Sequence, residues 1–179
     1  MLRTDETALV IIDVQGKLAT LMHEREELYR NLQILVRGAR ILELPVLWLE
    51  QYPEGLGPTI PEVAELLTDQ EPMAKLSFSG CGLEDFRQQL EQIGRRKLLV
   101  AGIEAHICVN QTVCDLIGAG YSVEVVADAI SSRTAANRQV GLDKMSRAGA
   151  DITSVETAMF ELLREAGTPE FKEIARLVR

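Results

Sequence analysis

The chain has 179 residues, 46% hydrophobic and 26% charged, enough for a single domain over residues 1–179 that buries a core without disulfide or metal staples. A formal net charge of −8 with no basic stripe argues against nucleic-acid or anionic-membrane partners and favours a small-molecule substrate. No apolar run nears the roughly 18 residues of a membrane span, no leader pattern is present, and the three cysteines form no CxxC pair, so the expectation is a cytoplasmic protein in a reducing compartment.

At residues 8–13, ALVIID is an apolar run that ends in a carboxylate. That is the pattern of a strand buried on both faces of a parallel sheet, with Asp13 at its carboxyl end. Residues 25–42 carry Leu28, Leu32, Leu35, Val36, Ala39 and Leu42 at helical spacing, and Pro45 precedes a second strand at 46–49. The stretch 51–61, QYPEGLGPTIP, is rich in Gly and Pro without periodicity and reads as a loop over a cleft. A short helix at 61–67, a weaker strand at 72–78 containing Lys75, and an amphipathic helix at 83–93 closed by Gly94 follow.

The central stretch is 97–116, KLLVAGIEAHICVNQTVCDL. It reads as a strand at 97–101 ended by Gly102, a sharp turn, and a helix from residue 105. Cys108 falls in the first helical turn, where unpaired N–H groups and the positive end of the dipole favour a thiolate. Cys114, further along the helix, is expected in the core. Another strand at 121–127 ends at Asp128, and the polar turn 131–133 leads into a helix at 135–148. A short edge strand at 151–153, a helix at 155–163 capped by Ser154, and a last helix at 169–178 complete the chain.

Strands alternating with helices over most of the length predict an α/β fold: a Rossmann-like three-layer domain with a mostly parallel sheet of about six strands and helices on both faces. Its cleft lies at the carboxyl ends of the strands, so Asp13, Gln51, Cys108 and Asp128 are expected on one edge, with Lys75 if its segment is a strand. An acid, a lysine and a thiol meeting there suggest acyl transfer to water. Cys108 would be the nucleophile, Asp13 the base and Lys75 the charge that keeps Asp13 ionised, with backbone N–H groups of the turn before Cys108 as the oxyanion hole. Gln15, Gln51, Tyr52 and Phe78 are the candidate pocket residues. The two histidines, His23 and His106, have no second ligand at metal spacing, so neither a metal nor another cofactor is expected. GAGYSV at 118–123 runs from helix to strand, the reverse of a dinucleotide fingerprint, and Cys81 has no matched role.

ALVIIDVQ (8–15), KLSFSG (75–80) and GIEAHICV (102–109) resemble the three signature regions of the isochorismatase-like cysteine hydrolases, a family that includes nicotinamidases and carbamoylsarcosine amidases. QYPEGLGPTIPE, DAISSR and EFKEIARL are similar to the isochorismatase-domain-containing subgroup. The resemblance implies a catalytic triad of Asp13, Lys75 and Cys108, and a cis peptide between Ile103 and Glu104. It also implies an oxyanion hole from the N–H groups of Glu104 and Cys108, and a homo-oligomer in which the final helix is a candidate contact. Nicotinamidases carry metal-binding Asp and His residues where this chain has Gln51, Tyr52, Pro53 and Glu54, which argues against that activity. A vinyl-ether hydrolase using Asp13 and Lys75 alone, or a non-catalytic scaffold, are the alternatives.

Overall fold

A computed structural model of the chain describes residues 1–179. The strands β1 (Thr7–Ile12), β2 (Val46–Gln51), β3 (Met73–Lys75), β4 (Lys97–Ile103), β5 (Ser122–Ser131) and β6 (Asp151–Thr153) form one sheet in the order β3-β2-β1-β4-β5-β6. Every adjacent pair is parallel. The order follows from the connections: the chain winds outward from β1 through β2 to β3, then returns to pair β4 with the free side of β1. The six strands and flanking helices match the predicted three-layer α/β fold.

The helices are α1 (Gly16–Thr20), α2 (Arg25–Ile41), α3 (Pro53–Leu56), α4 (Pro61–Ala64), α5 (Glu84–Ile93), α6 (Asn110–Gly118), α7 (Ala135–Ala148), α8 (Val155–Leu163) and α9 (Pro169–Leu177). Alternate residues of β1 point to opposite faces, which gives the sheet two separate cores. Leu9 and Ile11 join Leu32, Leu35 and Val36 of α2 with Ala158 and Met159 of α8. Ala8, Val10 and Ile12 join Phe86 of α5, Val113 of α6 and Met145 of α7. All six residues of β1 are buried, which is why its sequence after Thr7 is a continuous apolar run rather than an alternating one.

Three departures from the sequence reading have local causes. The supposed loop after β2 contains α3, and Gln15 bridges to Thr59 across it; elements of one turn are too short to show a period. β4 does not stop at Gly102 but runs to Ile103. Gly102, at φ +123°, lies so close to β1 that a Cβ there would sit 2.1 Å from the Ile12 carbonyl oxygen, so a glycine is required inside the strand. β5 continues through Asp128 to Ser131, and its pairing with β4 jumps from Val100–Val125 to Gly102–Ile130. The bulged residues include Asp128, which therefore does not end a strand.

Candidate functional site

β1 and β4 lie side by side where the winding of the sheet reverses, the place where a crevice opens beyond the strand ends in this architecture. Each delivers one chemically capable side chain there. After Ile12 the chain leaves β1 through Asp13 at φ +55°, with the Asp13 N–H still donating to the Leu49 carbonyl at 3.1 Å. After Ile103 comes a cis peptide to Glu104, then a π-helical turn, Ala105–Val109, in which the Val109 N–H reaches back five residues to the Glu104 carbonyl. That turn carries Cys108 at 7% exposure.

Lys75 arrives from the edge strand β3. Its ammonium is completely enclosed and meets four acceptors: Asp13 Oδ2 at 2.7 Å, Gln51 Oε1 at 2.8 Å, the Phe78 carbonyl at 3.0 Å and the Ser77 carbonyl at 3.3 Å. Removing one partner of so buried a pair typically costs about 3–5 kcal/mol, because the other charge is left without compensation. Gln51 also donates to the Leu76 carbonyl at 2.8 Å, so its amide braces the strap that wraps Lys75.

Asp13 is 2% exposed, and its second oxygen, Oδ1, has no hydrogen-bond partner. Burial raises its carboxyl above the usual range, against the opposing pull of the Lys75 charge and hydrogen bond. The Cys108 thiol lies against this carboxylate. Burial first, and the Asp13 charge second, push the thiol up to about 12, with Lys75 acting in the other direction. Against the thiolate expected from the helix end, enclosure and the neighbouring carboxylate favour the protonated thiol. A helix terminus contributes up to about 2 kcal/mol, and here desolvation beside a like charge outweighs it.

Glu104 lies outside every helix and strand, and its backbone N–H donates to no protein acceptor. Its buried side chain accepts from the Arg133 N–H at 3.0 Å and from Arg133 Nε at 3.2 Å. The sequence reading missed this anchor, since a buried Glu leaves no periodic signal. His106 is tied through Nδ1 to Ser132 Oγ at 2.9 Å and joins the π-helical turn to the end of β5, a structural place.

The remaining candidates separate. Gln15 is fully buried and committed to backbone: Nε2 donates to the Gly57 carbonyl at 2.7 Å and the Gln51 carbonyl at 3.1 Å, while Oε1 accepts from the Gln51 N–H at 2.6 Å. It shapes the 51–57 loop rather than lining a pocket. Tyr52 and Phe78 are half exposed, and Leu76 between them in the chain is more so. Asp128 does not join the others: its Oδ1 accepts from the Val155 N–H at 2.9 Å, capping α8. Cys114 is half-buried rather than in the core, with Sγ 3.8 Å from Asn110 Oδ1.

Residues 7–157 match the isochorismatase domain model. The chain belongs to the isochorismatase family. Isochorismatase domain-containing protein 2 of Pongo abelii is 43% identical over 147 residues, 81% of this chain and 69% of that protein. Among solved structures, MAR1 ribonuclease from Caenorhabditis elegans has a TM-score of 0.92 at 35% identity, covering 99% of this chain and 91% of that one. The YcaC gene product of Escherichia coli, an octameric hydrolase of unknown specificity, has a TM-score of 0.92 at 25% identity, covering 98% of this chain and 89% of its own. This isochorismatase-family chain thus has the fold of the family's hydrolases.

Proposed function

We propose that the chain is a cysteine-dependent hydrolase that cleaves an amide or related C–N bond of a small molecule through a thioester at Cys108. The observation that carries the reading is the buried Asp13 carboxylate beside Cys108, with Oδ1 free of any hydrogen-bond partner and Oδ2 held by Lys75 at 2.7 Å; burial and the Asp13 charge favour the thiol form of Cys108. A carboxylate so placed is a base with a vacant acceptor and one proton within reach.

The thiol proton passes to Asp13 as Cys108 Sγ bonds to the substrate carbonyl carbon. The oxygen, now negative, is received by the N–H groups of Glu104 and Cys108, each donor being worth about 3 kcal/mol in the transition state. Collapse breaks the C–N bond, and Asp13 returns the proton to the departing nitrogen. Asp13 then deprotonates a water that attacks the thioester, releasing the acid and regenerating the thiol. Lys75 stays charged throughout and keeps Asp13 ionised between proton transfers.

A second reading has one observation in its favour. Burial raises the Asp13 carboxyl, which also suits a general acid protonating a vinyl ether with no help from the thiol. Ammonia release from a panel of small amides, ureides and carbamoyl compounds separates the two. Wild type is expected to turn over at least one of them, Cys108→Ala to be inactive and Asp13→Asn to fall by about a thousandfold or more, as loss of a base that also activates water would require. Full activity in Cys108→Ala would transfer the reaction to Asp13 and Lys75. RNA belongs in the panel because of the name of the nematode neighbour; the net charge of −8 predicts no cleavage.

A homo-oligomer is part of the proposal, supported by the octameric E. coli neighbour and by the exposed Leu76, Phe78 and Tyr52 beside the site. Three unpaired thiols support a reducing, cytoplasmic setting.

A further inference from the structure

On the face of the sheet covered by α5 and α6, a cleft of about 480 Å³ opens between the end of α5 and the end of α6. None of Asp13, Lys75 or Cys108 lines it, and its volume falls within the roughly 300–1,000 Å³ typical of small-molecule sites. Its accessible apolar surface comes from Ala119 and Tyr121, with Leu90 and Leu116 buried beneath, and its basic side chains are Arg87, Arg95 and Arg96. Three guanidiniums around one cleft go against the balance of a chain whose net charge is −8.

The three differ in what they already hold. Arg87 donates to the Cys81 carbonyl at 2.5 Å and pairs with Glu84. Arg96 lies over the Tyr121 ring, 5.5 Å from its centroid, and forms no ion pair or side-chain hydrogen bond. Arg95 forms none either; Asp5, which feels its charge, is already engaged by Arg3 at 2.9 Å. Two acids share the cleft wall and compete for the arginines: Asp115, which accepts from the Ser79 hydroxyl at 2.6 Å and keeps its charge, and Glu91.

We propose that this cleft is a second binding site, for a small organic anion. Arg95 and Arg96 hold its carboxylate or phosphate, and a flat apolar body rests against Ala119 and Tyr121. Guanidiniums suit either anion because their donors can engage two oxygens at once. The site stands apart from the proposed hydrolase chemistry but shares a segment with it. Cys81 on the cleft wall follows Ser79, whose carbonyl accepts from the Ser77 hydroxyl at 2.8 Å, and the Ser77 and Phe78 carbonyls hold the Lys75 ammonium.

Saturation-transfer NMR with phenyl phosphate, benzoate and the neutral control benzyl alcohol tests the proposal on the whole chain. Phenyl phosphate, benzoate or both are expected to bind wild type and Cys108→Ala alike, and the one that binds better names the anion. Benzyl alcohol is expected to give no signal. The surface variant Arg95→Gln/Arg96→Gln, shown to be folded by circular dichroism, is expected to weaken binding about tenfold or more, as loss of charge-assisted contacts implies. Equal binding by that variant, loss of binding in Cys108→Ala, or no signal from either anion up to about 10 mM would each overturn it. Should the double variant fail to fold, Arg96→Gln alone gives the same readout with a smaller loss.

Discussion

At Cys108 the place in the fold is legible along the chain, while the balance between thiol and thiolate is not. Its position after a buried strand is a matter of pattern, visible in the run KLLVAGI followed by a helical period. Its proton is a matter of environment: enclosure and the Asp13 carboxylate push the thiol up to about 12, and neither is visible along the chain. The consequence is measurable. In the free protein, alkylation of Cys108 by iodoacetamide is expected to keep rising with pH beyond 9, because the thiolate fraction rises tenfold per unit of pH below the titration point. A plateau below pH 7 would mean a resting thiolate and would contradict the general-base role of Asp13. Asp13 and Lys75 were legible for a similar reason, each standing at the end of a short strand. The acceptors that enclose Lys75, two of them backbone carbonyls of Ser77 and Phe78, were not, since a carbonyl has no sequence signature.

Among the elements, the strands were legible where burial on both faces forced a continuous apolar run, as in β1 and β4. They were less so where the sheet is irregular. In β5 the bulge carries Asp128 away from the crevice and onto the N-terminus of α8, and a strand pattern cannot reveal a bulge. The π-helical turn is held from behind by α7: a Cβ on Gly141 would lie 2.6 Å from both the carbonyl carbon and the carbonyl oxygen of Ala105. Ala is about 1 kcal/mol better than Gly inside a helix, but the clash is with backbone and cannot be relieved by a rotamer change. Gly141→Ala is therefore expected to lower the melting temperature and to reduce turnover by about tenfold or more by displacing Cys108. A variant as stable and as active as wild type would show that the turn is not fixed by this contact.

At the scale of the molecule, alternating strands and helices predicted the parallel three-layer fold, and the strand order then explains the site. The reversal of winding between β1 and β4 brings together residues 13 and 108, and the edge strand β3 adds residue 75. What the chain order could not show is the surface left uncovered, because exposure depends on what the other elements fail to reach. Leu76 at 77% and Phe78 at 55% exposure flank the segment that wraps Lys75, and burying them against further copies is the role proposed for them. Sedimentation velocity is expected to find an assembly larger than one chain, and Leu76→Asp/Phe78→Asp to shift it toward the monomer; a wild-type monomer at micromolar concentration would remove oligomerisation from the account. The most direct test of the central claim is intact-mass analysis of the protein quenched in acid during turnover of its best amide substrate. The account predicts an added acyl mass, located on Cys108 and absent from Cys108→Ala. Steady turnover with no acyl-protein at any time point, and with Cys108→Ala equally active, would contradict it.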